Sequence, residues 1–193
     1  MAIKLPKEGP QQDERYTYAD YCTWGDDERW ELIDGAPYAM SPAPTWTHQA
    51  VSSNLHGQLF NFLKGKPYKV FAAPFDIRLN ADTADDTVVQ PDLVIVCDKS
   101  KLEDKGGCKG APDMVVEILS PSTARCDKTK KFRLYQKSGI REYWIVDPDS
   151  RTVSVHVLEN GKYTVANYDD DDGAAPVNVL PGCEINLQDV FTL

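Results

Sequence analysis

Hydrophobic and polar positions along the chain follow a helical period in three segments. These segments are Thr17 to Trp24, Thr45 to about Leu63, and Asp127 to Lys137. The apolar positions of the middle segment are Trp46, Ala50, Leu55, Leu59, Phe60, Phe62 and Leu63, which recur at helical spacing. Thr17 is suited to cap the first helix, Gly65 and Pro67 follow the second, and Gly139 follows the third. The pattern therefore predicts one short helix and two longer ones.

Apolar runs of strand length occupy most of the remaining chain. "RWELIDG" predicts a strand that ends in a turn at Asp34-Gly35, and "APYAMSP" predicts its hairpin partner. Further strands are predicted at Lys69–Ala73, Phe75–Leu79, Val88–Cys97 and Asp113–Leu119. "EYWIVDP", "RTVSVHVLE" and "KYTVANY" predict a C-terminal β-meander, and "GCEINLQDVFTL" predicts a strand and a final turn. This order predicts a mixed α/β (α+β) fold, in which helices flank a central mixed β-sheet.

Two acidic residues interrupt the apolar strands. Asp92 opens the run "DLVIV", and Glu117 lies inside "MVVEIL". An ionised carboxylate in an apolar strand costs several kcal/mol unless a partner, hydrogen bonds or a metal ion compensates it. Mg²⁺ commonly binds one or two protein carboxylates and keeps water and substrate phosphate oxygens as its other ligands. Asp92 and Glu117 would suit that role if their strands are neighbours, whereas the alternative for Asp92, which follows Pro91, is a cap at the strand start.

Length and charge bound the possibilities further. The 193 residues predict a flexible leader over residues 1–16 and a single domain over residues 17–193. The net charge of -9 argues against indiscriminate coating of nucleic acid. Seven basic residues and one acid nevertheless lie between Arg125 and Arg141. That segment is either a local nucleic-acid-binding patch or a solvated helix face.

Several classes of protein are disfavoured by what the sequence lacks. Five cysteines without a C-x-x-C pair form a poor disulfide framework, so reduced thiols are expected. The start "MAIKLPKEGPQQDERY" has no apolar core of a secretory signal, and a cytoplasmic protein is expected. No serine or cysteine lies in a recognisable nucleophile setting, and there is no dinucleotide fingerprint. His48 and His56 are too far apart for a helical zinc pair.

A set of strings in a fixed order resembles a known family. The strings are "WELIDG", "MSPAP", "PDLVIV", "PDMVVEILSPST", the pattern D-x-x-x-K-x-x-x-Y at Asp127, Lys131 and Tyr135, and "GIREYWIVDP". Together with His48 they cover roughly Thr17 to Val157 and are similar to the Uma-two family of restriction-endonuclease-like bacterial proteins. The resemblance implies the PD-(D/E)xK nuclease fold and metal-dependent hydrolysis of phosphodiester bonds. It also implies Mg²⁺ or Mn²⁺ as cofactor, DNA more than RNA as substrate, and a homodimer.

The resemblance assigns roles residue by residue. Asp92 would be the Asp of the motif, Glu117 its second acid, and Glu31 in "WELIDG" an additional acid of the site. Asp92 and Glu117 would then be the metal ligands. The superfamily's lysine normally lies two residues after the second acid, but that position holds Leu119 here.

Lysines of the predicted third helix are candidates to replace the missing one. Lys128 and Lys131 lie near the middle of the helix stripe defined by Phe132, Leu134 and Tyr135. Lys131 also matches the family's lysine, so it is the first candidate for the catalytic residue and Lys128 the second. The alternative is that Lys131 merely forms a helix ion pair with Asp127, four residues earlier.

The remaining candidates are supporting residues. Gln90 and Ser120 are polar neighbours of the two acids, His48 matches the family, and Tyr135 is either a hydrogen-bond donor near the phosphate or a core residue. Two rival functions stay open. One is a nucleic-acid-binding or protein-interaction module that does not cleave, and the other is a metallohydrolase of small phosphoesters.

Overall fold

A computed structural model describes residues 9–11, 13–25, 29–40, 43–103 and 107–192. The helices are α1 (Tyr18–Tyr21), α2 (Trp46–Leu63), α3 (Ala124–Cys126), α4 (Phe132–Ser138) and α5 (Leu187–Phe191). A π-helical turn, Asp127–Lys131, joins α3 to α4, and 3-10 turns lie at Lys99–Lys101 and Asp170–Asp172. The strands are β1 (Trp30–Ile33), β2 (Ala36–Ala39), β3 (Lys69–Ala72), β4 (Ile77–Arg78), β5 (Val88–Val89), β6 (Leu93–Val96), β7 (Leu102–Glu103), β8 (Gly107–Lys109), β9 (Met114–Ile118), β10 (Glu142–Asp147), β11 (Thr152–Glu159), β12 (Lys162–Asp169), β13 (Ala174–Pro176) and β14 (Glu184–Asn186). Residues 1–8 and 12 of the predicted leader, and residues 41–42 of the "MSPAP" string, lie outside the described residues.

In the described part of the chain, the β-structure consists of two six-stranded sheets and one two-stranded sheet. The central sheet has the order β12-β11-β10-β9-β6-β3, in which β9 and β10 are parallel and all other pairs are antiparallel. The second sheet has the order β2-β1-β5-β4-β8-β7, and β13 pairs with β14. The predicted central mixed sheet is therefore present, and β10, β11 and β12 form the predicted meander.

The two faces of β9 belong to different parts of the core. Met114, Val116 and Ile118 pack in one cluster with apolar residues of α2 and α5. Val115 and Leu119 belong to a second cluster, which includes Leu134 and Tyr135 of α4. Because side chains alternate along a strand, Glu117 projects to the same face as Val115 and Leu119, under the π turn and α4.

Local signals in the sequence account for several elements that were predicted correctly. Thr17 begins α1, and its backbone N–H donates to Asp20 Oδ2 at 2.8 Å. Asp34 and Gly35 adopt φ values of 48° and 76°, so they make the tight turn of the β1–β2 hairpin. Gly139 ends α4 in the left-handed conformation, with a φ of 80°. All five cysteines are free.

The predicted strand Val88–Cys97 was wrong as a single element. The structure divides it into β5 in the second sheet and β6 in the central sheet, with Gln90, Pro91 and Asp92 between them. Pro91 has no N–H to donate to a ladder, and it restricts the backbone of the residue before it. The break leaves Asp92 at the start of β6, where the two sheets meet.

The inward face of α2 also differs from the prediction. Its buried apolar residues are Val51, Leu55, Leu59 and Leu63, which follow one another at a spacing of four. Trp46 and Phe60 fall off this stripe and are 70% and 55% exposed. Among the described helices, none is both long enough and apolar enough to cross a membrane.

Candidate active site

Four carboxylates from separate elements converge beside the central sheet. Glu31 comes from β1, Asp92 from the start of β6, Glu117 from β9 and Asp127 from the π turn. All four line a cavity of about 580 Å³, together with Lys131, His48, Gln90 and Ser120. The fold therefore brings the predicted Asp92, Glu117, Glu31 and Lys131 to one place.

Asp92 and Glu117 are neighbours because of the strand register. β6 and β9 are antiparallel, and Leu93 pairs with Val116, so the same register continued by one residue sets Asp92 directly opposite Glu117. Asp92 Oδ2 accepts a hydrogen bond from the backbone N–H of Ile118 at 2.7 Å. Asp92 therefore does more than cap the start of its own strand, because its side chain is hydrogen-bonded to the strand that carries Glu117.

Lys131 lies between two glutamates. Its Nζ is 2.9 Å from Glu31 Oε1 and 2.9 Å from Glu117 Oε1, but 3.8 Å from Asp127 Oδ1. Burial alone would lower the pKa of Lys131, but the charges of Glu117, Glu31 and Asp127 raise it well above its ordinary value. The helix pair with Asp127 is the longest of the three contacts, so it does not by itself explain the position of Lys131.

Glu117 is almost fully buried, and its Oε1 is shared. Tyr135 Oη donates a hydrogen bond to Glu117 Oε1 at 2.7 Å, and Lys131 Nζ donates to the same oxygen. Burial raises the pKa of Glu117 well above its ordinary value, while the charge of Lys131 opposes the rise. Burial and the charge of Glu117 also raise the pKa of Tyr135, so its hydroxyl remains a donor.

The π turn aligns three residues on one side of the helix. Asp127, Lys131 and Tyr135 succeed one another at a spacing of four and are all buried. In a regular α-helix, each such step rotates the side chain by about 40° around the axis. A wider turn reduces this drift, and π turns of this kind are frequent at functional sites. No pattern in the sequence predicts the π turn.

Asp127 is the site residue that the sequence analysis did not identify as a site acid. Its residue exposure is 1%, and its Oδ1 has no hydrogen-bond partner in the described part of the chain. Burial raises the pKa of Asp127, and the charge of Lys131 counteracts this. The D-x-x-x-K-x-x-x-Y string includes Asp127 and could have indicated it as a site acid, but an ion pair along the helix with Lys131 explains the same spacing.

A hydrogen-bond network supports Glu31. The backbone N–H of Gln90 donates to Glu31 Oε1 at 2.9 Å. The side-chain amide of Gln90 donates to Asp76 Oδ1 at 2.8 Å and to Tyr21 Oη at 3.0 Å. Arg29 Nη2 donates to Gln90 Oε1. Gln90 is therefore fixed from both sides and holds one acid of the site in place.

His48 lies at the edge of the site. Its Nε2 is 3.0 Å from the carbonyl oxygen of Ile118 and 3.4 Å from Asp92 Oδ2. Burial lowers the pKa of His48. The hydrogen bond to Asp92 and the charge of Asp92 raise this pKa by more than burial lowers it, so the net shift is upward. Its buried Nδ1 has no hydrogen-bond partner among the described residues.

Two predicted candidates are peripheral. Ser120 lines the cavity, and its Oγ is within hydrogen-bond distance of Ser122 Oγ and Thr123 Oγ1. The predicted inward direction of Lys128 was wrong, since its side chain is 54% exposed and its Nζ is 3.9 Å from Asp147 Oδ2. Lys128 directly follows Asp127 and points away because Asp127 and Lys131 occupy the inward side of the π turn.

The acids of the site provide oxygen ligands of the kind that a divalent cation binds. The described residues contain no group of three or more His, Cys, Asp or Glu side chains arranged to hold a metal ion. Mg²⁺ requires only one or two protein carboxylates. Asp92 Oδ1 and Glu117 Oε2 accept no hydrogen bond from any residue of the described ranges. The Lys131 ammonium group contacts Glu31, Glu117 and Asp127 but carries one charge against the four carboxylates of the site, so Asp92 and Glu117 fit a cation held by two carboxylates and water.

Known proteins resemble this chain in sequence and in fold. The Uma2 family model, described as "Putative restriction endonuclease", matches residues 15–188. Uncharacterized protein slr1290 of Synechocystis sp. (strain ATCC 27184 / PCC 6803 / Kazusa) is 29% identical over 159 residues, which cover 79% of this chain and 80% of that protein. Uncharacterized protein sll1609 of the same organism is 26% identical over 122 residues, which cover 62% of this chain and 67% of that protein.

A solved structure shares the architecture. It is the crystal structure of a putative nuclease belonging to DUF820 from Anabaena variabilis ATCC 29413. The TM-score is 0.72 at 23% sequence identity, and the match covers 91% of this chain and 97% of that chain. This likeness confirms the predicted restriction-endonuclease-like fold. Because the family model matches residues 15–188, which are most of the chain, the chain belongs to the Uma2 family of putative restriction endonucleases.

Proposed function

We propose that the protein is a divalent-metal-dependent nuclease that hydrolyses phosphodiester bonds, with DNA as its substrate. The observation that carries the proposal is the buried Lys131, whose Nζ is 2.9 Å from both Glu31 and Glu117. A lysine beside the second acid is what the motif requires, and Leu119 occupies the place where the sequence normally provides it. Lys131 of the π turn would take the place of that lysine from a neighbouring element.

Asp92 and Glu117 would hold Mg²⁺ or Mn²⁺. Such an ion, when bound, lowers the pKa of a coordinated water and polarises a phosphoryl oxygen. Asp92 is positioned for this by the N–H of Ile118 and by His48. Tyr135 and Lys131 fix one oxygen of Glu117 and leave the other for a ligand.

Lys131 would stabilise the charge that grows on the phosphate. The surrounding acids keep its ammonium protonated, and burial keeps it away from bulk water. A fixed positive charge in a partly dry site acts more strongly than the same charge in water. Glu31 and Asp127 would position the ammonium group and balance its charge when no substrate is bound.

The unit of function that we propose is a single domain over residues 17–193, acting as a homodimer. Two paired domains would carry two sites, one for each strand of a duplex. Light scattering of the purified protein would measure its mass directly, and a monomer at all concentrations would contradict the dimer.

A second candidate is a nucleic-acid-binding module that does not cleave. The contacts of Lys131 favour it, because the ammonium group already contacts Oε1 of both Glu31 and Glu117, two oxygens that a metal ion could otherwise bind. In that case binding would be independent of metal ions and no turnover would be observed.

Cleavage assays separate the two candidates. Plasmid and single-stranded DNA would be incubated with the purified protein and Mg²⁺ or Mn²⁺, beside Asp92→Asn. Asp149→Asn is the matched control, because Asp149 is exposed in a turn and makes the same change of charge away from the cavity. We expect cleavage by the parent and by the control but not by Asp92→Asn. Equal residual cleavage by all three proteins would indicate a contaminant and sink the proposal.

A further inference from the structure

A second cavity lies beside the candidate active site. Its volume is about 350 Å³, and it lies between the turn of the β1–β2 hairpin and the outward side of the π turn and α4. Lys130, Arg133 and Lys137 line it, and Asp34 is its acidic residue. The three cations are spaced by three and four residues, so they form one stripe along the helix. We call this cavity the basic groove.

The cations of the basic groove have no acidic partners among the described residues. Lys130, Arg133 and Lys137 are exposed and form no ion pair there, whereas Arg78 and Arg151 each do. Lys130 Nζ donates to Tyr38 Oη and lies 3.9 Å from the centre of the Tyr38 ring. Unpaired cations on one stripe are notable in a chain whose net charge is -9.

The basic groove is linked to the active-site cavity by a contact between one lining residue of each. Tyr38 lines that cavity and contacts Lys130, which directly precedes Lys131 in the chain. From Lys130 to Lys137 the helix rises about 10 Å at 1.5 Å per residue. One strand of B-DNA rises about 3.4 Å along the duplex axis per nucleotide, so this length is enough to contact more than one phosphate.

We propose that the basic groove binds backbone phosphates of a nucleic acid next to the phosphate that enters the active site. The inference rests on the proposed nuclease function and specifies the surface along which the substrate runs. An acidic protein partner would use the same charges. A phosphate backbone is favoured because Lys130, at one end of the stripe, contacts Tyr38 of the cavity that contains Lys131 and the carboxylates of the proposed metal site.

Binding measurements test the groove without relying on turnover. Arg133→Gln/Lys137→Gln removes two cations of the groove. Lys64→Gln/Lys162→Gln is the matched control, because both lysines are exposed, line neither cavity and form no ion pair within the described ranges. Anisotropy of a fluorescein-labelled duplex would be recorded over a series of NaCl concentrations, in EDTA and again with Ca²⁺.

The expected result follows from counterion release. The logarithm of the binding constant falls linearly with log [NaCl], and each lost phosphate contact makes this negative slope shallower by about 0.9. Two contacts therefore change the slope by nearly 2, and affinity at about 0.1 M salt weakens by about tenfold or more. The control pair loses as much charge as the groove variant, but it should bind like the parent because its lysines line neither cavity. Equal binding of the duplex by both double variants would overturn the proposal. A folded parent that binds acidic proteins but not the duplex would overturn it as well.

Failure of the groove and failure of the nuclease have different signatures. A parent that binds the duplex through Arg133 and Lys137 but never cleaves it with Mg²⁺ or Mn²⁺ would refute the nuclease and retain the groove. A parent that cleaves, while the groove variant binds and cleaves like the control, would refute the groove alone.

Discussion

Replacing Lys131 by methionine tests the electrostatics of the site. Methionine keeps the apolar stem but removes the ammonium group that contacts Glu31 and Glu117, whose side chains are 8% and 6% exposed. Removing one partner of a buried ion pair costs about 3–5 kcal/mol of unfolding free energy, because the other charge is left uncompensated. We expect a loss of that size at pH 8.

The loss should shrink as the pH falls. The pKa of Glu117 is raised in the folded protein, so its contribution to stability is greatest below the unfolded value of about 4.3 and is lost as pH rises through the folded value. Without Lys131 that folded pKa rises further, and each additional unit is worth about 1.4 kcal/mol. The loss at pH 5 should therefore be about 1–2 kcal/mol smaller than at pH 8.

Urea unfolding followed by circular dichroism at both pH values measures this difference. Lys128→Met is the matched control, because Lys128 lies on the same π turn with a side chain that is 54% exposed. Its effect should stay within about 0.5 kcal/mol at both pH values. A loss for Lys131→Met that equals the control, or that does not change with pH, would refute the role of Lys131 as counterion of the buried acids.

Three further predictions concern the same cluster. Glu117→Gln should abolish metal-dependent plasmid cleavage yet raise the melting temperature at pH 8, because it removes one of the excess buried carboxylates while Lys131 keeps Glu31 and Asp127 as partners; a lower melting temperature would contradict this. Tyr135→Phe should lower the unfolding free energy in urea by about 1.5–3 kcal/mol through the lost hydrogen bond to Glu117, and unchanged stability would argue against that bond. Leu119→Lys in a Lys131→Met background should restore at least part of the lost cleavage, since position 119 is on the Glu117 face of β9; no recovery in a folded double variant would count against a relocated catalytic lysine.

Periodicity and end signals predicted the parts of the fold that depend on local sequence. The β1–β2 hairpin follows from Asp34-Gly35, α2 from its apolar spacing, and the end of α4 from Gly139. Each of these signals acts within a few residues, so the surrounding structure does not override it.

Features that depend on contacts between distant segments were not predicted. The division of Val88–Cys97 into strands of two sheets depends on which partners β5 and β6 find, although Pro91 marks the place. The burial of Asp127 depends on the π turn and on the packing of α4 against the sheet. The position of Glu31 beside Lys131 joins residues 100 positions apart, and only the family resemblance indicated it.

Metal binding by the folded protein tests the central claim most directly. Free Mn²⁺ would be titrated with protein and measured by electron paramagnetic resonance, for the parent, Asp92→Asn, Glu117→Gln and the control Asp149→Asn. The account predicts that the parent and the control bind Mn²⁺ and that both site variants lose this binding. A folded parent that leaves all Mn²⁺ free, or site variants that bind it as the control does, would contradict a metal site at Asp92 and Glu117.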